Sequence, residues 1–549
     1  MSLKPEGIEP VPEETARIAR AAFPKGNLCI RLRDTLGTIY NDQLFADLFP
    51  TRGQPAEAPW RLALVTVLQF VEGLSDRQAA EAVRARIDWK YALSLPLADP
   101  GFDDSVLSEF RTRLVAGGAE LRLLEVLLEQ CQTRGWLKAR GRQRTDSTHV
   151  LAAVRALNRL EMVGETLRHA LNVLAEVAPA WLRDQITPEW FDRYSHRVED
   201  YRLPKGKEAR GQHALLIGAD GLHLLAAVEA ETTPPWIREL PAIRFLKHAW
   251  EQQYVQEQGQ IRWKTAQELA PAGERPDSPY DPAARFGNKR STTWTGYKVH
   301  LTETCDEAQP HLITDVQTTQ AHITDILLTA PIQQALADKH LLPAEQLVDA
   351  GYVDADLLVT SQRDHQLTLI GPVRHDVSWQ AKEQAGYDLA SFQIDWEAHQ
   401  ATCPQGQVSS SWTARLDAFG TDIIEIHFSQ KVCRRCPVRS HCTKAPEAAR
   451  HITVRPQAGH AALVQMRAEQ EKPEWKARYN QRAGIEGTLS QGIRVAGLRQ
   501  ARYVGQAKAH LQHVATAAAL NLLRLDAWME KRPMAKTRRS RFAALALAS

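Results

Sequence analysis

Three acidic residues stand out by the company they keep. Asp146 sits in Thr145-Asp146-Ser147-Thr148-His149-Val150, a β-branched run in which an acid goes against strand propensity. Asp349 closes the short apolar run of Gln346-Leu347-Val348-Asp349-Ala350-Gly351-Tyr352. Open α/β sheets place their chemistry at such strand ends. Glu486 lies among helix formers; on a helix, Arg482 stands one turn before it on the same face, Tyr479 a turn earlier and Ser490 a turn later. Carboxylate oxygens are the ligands of hard divalent cations, and a pair of Mg²⁺ ions held by two or three of them, one bridging, activates a water or a 3′-hydroxyl for phosphodiester cleavage. The local readings compete with this one. Asp146 reads equally as a turn or cap, and Arg482 with Glu486 as a plain i,i+4 ion pair.

A second constellation is Cys433-x2-Cys436-x5-Cys442, with Cys403 upstream. Four thiols close a tetrahedral structural Zn²⁺ site, with His441 as an alternative ligand. The spacing also suits an iron–sulfur cluster, and unliganded thiols are the third reading. Either metal would staple an insertion too small to have its own core. Arg434, Arg435 and Arg439 make this knuckle basic, which suits contact with DNA. Cys29, Cys131 and Cys305 are isolated and read as buried thiols. His149, His300 and His322 lie in the segments around the acids and read as satisfied structural histidines.

The elements that must position these residues follow from periodicity and turn chemistry. Residues 28–130 read as mostly helical. Leu62 to Val71 form a buried helix broken at Gly73-Leu74-Ser75, and Ser75 with Gln78 makes a capping box for the next helix. This pattern suits a helix-turn-helix as well as any small helical bundle. Ser105 is expected to cap the following helix. Strands are expected at Asp146, over Thr293 to Leu301, over His311 to Thr318 as a hairpin partner, at Gln346 to Tyr352 and at Leu367 to Pro372, with crossover helices over Thr324 to Ala337 and Asp356 to Asp364. The result is a mixed sheet. Residues 155–265 read as helices that interrupt it, with Gly218-Ala219-Asp220-Gly221 a turn, and Arg262 to Arg290 as a polar loop. From Gly459 to Arg524 the chain reads as helix. Gly484, Gly487 and Gly492 lie inside the Glu486 helix, each costing about 1 kcal/mol against alanine, a burden that makes sense where a sheet or a DNA backbone comes close.

Composition bounds the class. At 549 residues, 44% hydrophobic and 24% charged, the chain is a globular protein of several domains. No run of 18 apolar residues argues a membrane span. The Met1 to Pro12 segment lacks the basic and apolar regions of a signal peptide, so a cytoplasmic protein with reduced thiols is expected. A net charge of +3 is too small to argue nucleic-acid binding. Lys531, Arg532, Lys536, Arg538, Arg539 and Arg541 form a basic tail, read as a solvated end or a phosphate-binding segment.

The acid segments together resemble the DDE transposases of bacterial insertion sequences, in the superfamily with a Y-x2-R-x3-E-x6-K signature around the last acid. Tyr479, Arg482 and Glu486 match that spacing, Ile493 occupies the lysine position and Arg494 is the nearest base. Thr145 to Thr148 resembles the first-acid strand, Val348 to Tyr352 the second, and Trp294 to His300 the strand between; the helical N-terminal region is similar to that of one branch of these transposases. The resemblance covers nearly the whole chain. It implies a ribonuclease-H-like mixed sheet with a helical insertion, a small Cys-rich insertion and an N-terminal all-helical domain. It implies two Mg²⁺ (or Mn²⁺) ions on Asp146, Asp349 and Glu486, with Tyr479 and Arg482 on DNA near the scissile phosphate and Lys298 and Arg494 as phosphate contacts. Its partners would be double-stranded DNA, both terminal inverted repeats and target, within a homodimer or larger synaptic complex at the nucleoid. The expected divisions are a flexible 1–27, a helix-turn-helix-like DNA-binding domain at 28–135, and the first catalytic part at 136–375 with its insertion at about 155–290. The Cys-rich insertion follows at 376–455, the helical end of the catalytic domain at 456–526 and the tail at 527–549. Alternatives on the same residues are a metal-dependent nuclease of the same fold, an inactive transposase-derived DNA-binding protein, and a zinc-dependent scaffold.

Overall fold

The computed structural model describes residues 2–533 apart from 258–259, 290, 384 and 446; the basic tail from Lys536 onward lies outside the described residues. The five strands that matter are β1 (Arg142–Leu151), β2 (Thr292–Thr304), β3 (Ile313–Gln320), β4 (Glu345–Leu347) and β5 (Thr368–Ile370). Their order across the sheet is β3-β2-β1-β4-β5. β2 runs antiparallel to both β1 and β3, whereas β1, β4 and β5 run parallel. The parallel steps are bridged by helices Thr329–Asp338 and Ala355–His365, as parallel pairing requires. A short edge strand, Arg285–Lys289, folds directly onto the start of β2, so the expected polar loop over 262–290 contains ladder at its end.

The N-terminal region is helical, as expected. Helix α1 (Pro59–Glu72) ends at Gly73 in the left-handed conformation, and Ser75 with Gln78 forms the capping box of α2 (Asp76–Ala85). At Ser105 the cap differs from expectation: helix Ser105–Ala116 begins with that residue, and its hydroxyl and amide both donate to Asp103. α1 is buried along nearly its whole length. It packs against the Glu486 helix, α4 (Gly484–Ala496), and against the final helix, α5 (Gln506–Met529). Phe70, Val299, Ile485 and Leu520 therefore belong to one continuous hydrophobic core. Arg31 adds an ion pair to Asp526 of α5 at 2.7 Å.

The insertion between β1 and β2 is built differently. It has its own core, with Leu167, Ile217, Leu246 and Trp250 at its centre. The expected turn at Gly218 to Gly221 lies instead inside a 23-residue helix, α3 (Lys207–Glu229). Glycine serves there as a notch: a methyl at Gly218 would collide with the Tyr254 ring, and one at Gly221 with the Trp250 indole. Packing of two aromatic rings outweighs the local helix penalty of glycine. The chain enters and leaves this unit at adjacent points, since Arg159 donates to the Lys264 carbonyl at 2.8 Å.

The Cys-rich segment also has a small core of its own, formed by Phe392, Ile426, Phe428 and Ile452 around a three-stranded sheet. The expectation that it is too small for one is corrected. No helix among the described residues is long and apolar enough to cross a membrane.

Candidate active site

β1 brings Asp146 to the sheet centre, and the chain reaches it again from two distant segments. Asp349 lies two residues beyond β4 rather than on it. There it caps the short turn Ala350–Tyr352, its carboxylate accepting the Gly351 amide at 2.7 Å. Glu486 sits in the first turn of α4. The expected continuous helix is interrupted just before it by a tighter turn, Gln481–Ala483.

Arg482 on that turn binds two of the three acids. Its guanidinium stands 3.0 Å from Asp146 and 3.1 Å from Glu486. The Arg482 side chain is 15% exposed, against 64% for Glu486, so the arginine is sunk between the sheet and an acid that faces outward. Thus the i,i+4 pair exists, and it is also part of a larger constellation. Burial lifts the Asp146 carboxyl above its usual range; the nearby Asp349 charge adds to this, while the Ser147 amide and Arg482 work against it.

A fourth acid, Asp325, joins the group, and the sequence reading missed it. Its carboxylate accepts from the Ser147 hydroxyl at 3.2 Å. A methyl placed on Gly351 would stand 3.0 Å from the Asp349 carboxylate and 3.6 Å from that of Asp325, so both acids border one small volume. The only sequence signal for Asp325 is its place in the first turn of a short helix, where an acid is ordinary. Lys298, expected at a phosphate, is turned inward instead: its ammonium donates to Asp325 at 3.0 Å and to the Ile323 carbonyl at 2.6 Å.

Tyr479 stacks on Trp475 with ring centroids 4.9 Å apart, and the Arg482 guanidinium lies over the Tyr479 ring at 5.9 Å from its centroid. Arg494 is exposed, and among the described residues its side chain donates only to the Ser490 carbonyl. Ile493, at the lysine position of the signature, packs against the main core, which accounts for an apolar residue there. His300 is structural, as expected: it is buried between the Tyr352 hydroxyl at 2.6 Å and Thr319 at 3.2 Å, and burial pushes its pKa down to about 4.

Beneath the acids lies a second charged layer. Glu303 on β2 is fully buried and binds Arg144 at 2.7 Å, Arg524 at 2.6 Å and the Thr488 hydroxyl at 2.5 Å. Burial alone would raise its pKa, but the Arg524 and Arg144 guanidiniums outweigh it and hold the carboxyl below its usual range. Of the three glycines in α4, Gly484 is explained by this layer, since a methyl there would collide with the Arg144 guanidinium; Gly492 abuts Leu498, and Gly487 faces open space.

The oxygen-only donor set fits a hard divalent cation. Arg482 stands between two of the donors, and among the described residues no three His, Cys, Asp or Glu side chains are gathered closely enough to hold a metal. The same is true of the thiols, although Cys403, Cys433, Cys436 and Cys442 all line one small cavity with Phe428 and Val432. Burial raises the Cys442 pKa, Arg450 opposes this, and the other three thiols add to the rise. The basic side chains nearby are locally committed: Arg434 pairs with Glu447, and Arg439 donates to the Ala445 and Ala448 carbonyls.

Residues 402–526 match the family model described as Transposase DDE domain, and residues 17–113 match that described as Transposase domain (DUF772). The first span contains the four clustered cysteines, Tyr479, Arg482 and Glu486, but neither Asp146 nor Asp349. No curated protein matches the chain significantly.

Proposed function

We propose that the chain, which matches transposase models over residues 402–526 and 17–113, is a DDE transposase of the insertion-sequence type that cuts element ends and joins them to target DNA with Asp146, Asp349 and Glu486 on a ribonuclease-H-like sheet. One observation carries the reading. Arg482 bridges Asp146 and Glu486, which lie hundreds of residues apart in sequence, beside the central strand where Asp349 adds its charge. The three carboxylates would hold two Mg²⁺ or Mn²⁺ ions, which when bound supply activation of the attacking oxygen and neutralisation of the leaving one. Arg482 balances the acids' charge and, with Tyr479 beside it, is placed to meet a DNA phosphate; the exposed Arg494 is a further phosphate contact. The partners are double-stranded DNA, as terminal inverted repeats and target, and a second copy of the chain in a synaptic complex, since two ends must be joined.

Glu486→Gln keeps the hydrogen-bonding shape of the side chain and removes its charge. The expected result is loss of Mg²⁺-dependent nicking on DNA carrying the element's ends, with binding of those ends changed only a few-fold. Wild-type cutting by the purified variant overturns the assignment. A stand-alone nuclease is separated by supplying pre-cut ends, because it would not join them to target DNA.

The four cysteines that share a cavity favour a second reading at their own site, a structural Zn²⁺ held by four thiolates. Purified protein is expected to carry one zinc per chain, and Cys433→Ser with Cys436→Ser to lose it. Visible absorbance with stoichiometric iron would instead indicate an iron–sulfur cluster, and protein free of both metals would overturn the metal site.

A further inference from the structure

The buried layer beneath the acids does more than fill space. Arg144 and Asp146 lie two residues apart on β1, so they project from the same face of the sheet. Arg144 pairs across the ladder with Glu303, and its guanidinium also reaches the Gln481 carbonyl at 2.7 Å, in the turn that carries Arg482. On α4, Thr488 follows Glu486 by two residues and therefore points to the opposite side of the helix; it is buried, while Glu486 faces out. Thr488 donates to Glu303 at 2.5 Å and accepts from Arg524 at 2.6 Å. Arg524 extends the network on to the Gln491 side chain at 3.2 Å and the His311 carbonyl at 2.8 Å. One carboxylate thus meets the strand of the first acid, the helix of the last acid, and the final helix.

We propose that Glu303 is a positioning residue: by gripping Arg144 and Thr488 at once, it fixes how far the Glu486 helix stands from Asp146, and with it the geometry of the metal-binding acids. The inference rests on the reading of those acids as the metal site. A buried charge held by two guanidiniums and a hydroxyl costs desolvation and is useful where it fixes one arrangement among several. The pair of Arg482 with Glu486 cannot do this alone, because its acid faces solvent, which screens the pair.

The test is run on the full-length protein with end-bearing DNA. Activity is titrated with Mg²⁺, and DNA binding and thermal unfolding are measured alongside. Glu303→Gln keeps the shape of the side chain but not its charge. Thr488→Val keeps the volume without the hydroxyl, and Thr488→Ser restores the hydroxyl. Outer-layer partners of metal ligands typically change metal affinity by roughly tenfold to a hundredfold. The expected result is a rise of that order in the Mg²⁺ concentration giving half-maximal cutting by Glu303→Gln and Thr488→Val, with end binding unchanged and Thr488→Ser close to wild type. If Glu303→Gln does not fold, the threonine pair carries the test. A folded Thr488→Val with wild-type Mg²⁺ dependence overturns the proposal, as does a Thr488→Ser equally impaired. The two readings fail separately: wild-type cutting by Glu486→Gln removes the acids' assignment, whereas an inactive Glu486→Gln beside an unmoved Thr488→Val removes only the clamp.

Discussion

The insertion, which ends in a two-stranded hairpin over 254–263, and the N-terminal region are both mostly helical, and both look separable in sequence. Their burial differs in kind. The insertion closes around Leu167, Leu246 and Trp250; its chain ends meet at Arg159 and Lys264, and Glu165 and Arg168 add contacts to Tyr280 beyond it. The N-terminal helices have no such enclosure: α1 is buried between α4 and α5, and its residues share a core with the inner face of the sheet. A helix belongs to the unit that covers its apolar face, and chain order does not decide which unit that is.

The largest test of this difference is deletion. Replacing residues 159–264 by a short flexible linker is expected to leave the remainder folding cooperatively, and the excised segment to fold alone. A chain starting at residue 136 is expected to be insoluble, because it bares α5 and α4. Circular dichroism and calorimetry on the pieces check this, and an unstructured insertion fragment breaks the comparison. Next in size are single core truncations. Phe70→Ala and Trp250→Ala should each cost about 3–5 kcal/mol by loss of a buried aromatic side chain. Phe70→Ala should lower the unfolding transition of the body and impair cutting, whereas Trp250→Ala should destabilise the insertion alone and leave cutting near wild type. Loss of activity in both variants would mean that the two units are coupled.

A smaller effect is expected from acid. Burial lowers His300 to about 4 and His513 to about 3, and both belong to the body. Their unfolded value is about 6.5, so the unfolded chain binds more protons below that pH. The stability conferred by the neutral rings is fully present above about 6.5 and is lost as pH falls towards 4, at about 3 kcal/mol for His300. Calorimetry between pH 7 and 4.5 should show the body losing stability, with His300→Gln flattening the slope; an unchanged slope would remove His300 from this account.

The sequence was most legible where the determinants were local. The capping box of Ser75 and Gln78, the hairpin of β2 and β3, and the Asp-Ala-Gly turn after β4 all follow from residues a few positions apart. The sequence also singled out Asp146 and Glu486, which Arg482 joins in the fold, and Asp349, whose charge reaches Asp146. It was misleading at Gly218 and Gly221, where turn chemistry is overridden by rings arriving from 29 or more residues away, as Trp250 does at Gly221. It was silent on Glu303 and Asp325, because a buried carboxylate is identified by its partners, and Arg144 and Lys298 are distant in sequence or ordinary in type. The shared core was equally hidden: nothing in Leu62 to Val71 announces that its cover is the last helix of the chain.

β1 is tied along its length to one remote segment. Arg144 holds the Gln481 carbonyl, Asp146 holds Arg482, and Thr148 accepts from Arg499. Leu151 exchanges backbone hydrogen bonds with Arg499 and Ala501. During synthesis the strand therefore leaves the ribosome long before its partner does. At roughly 5–20 residues per second the wait is on the order of tens of seconds. Until the C-terminal segment emerges, Asp146 has neither Arg482 nor Glu486 beside it. A nascent or prematurely terminated chain is thus without Glu486, and on the proposed reading of the acids cutting competence arrives only once the C-terminal segment has joined the sheet.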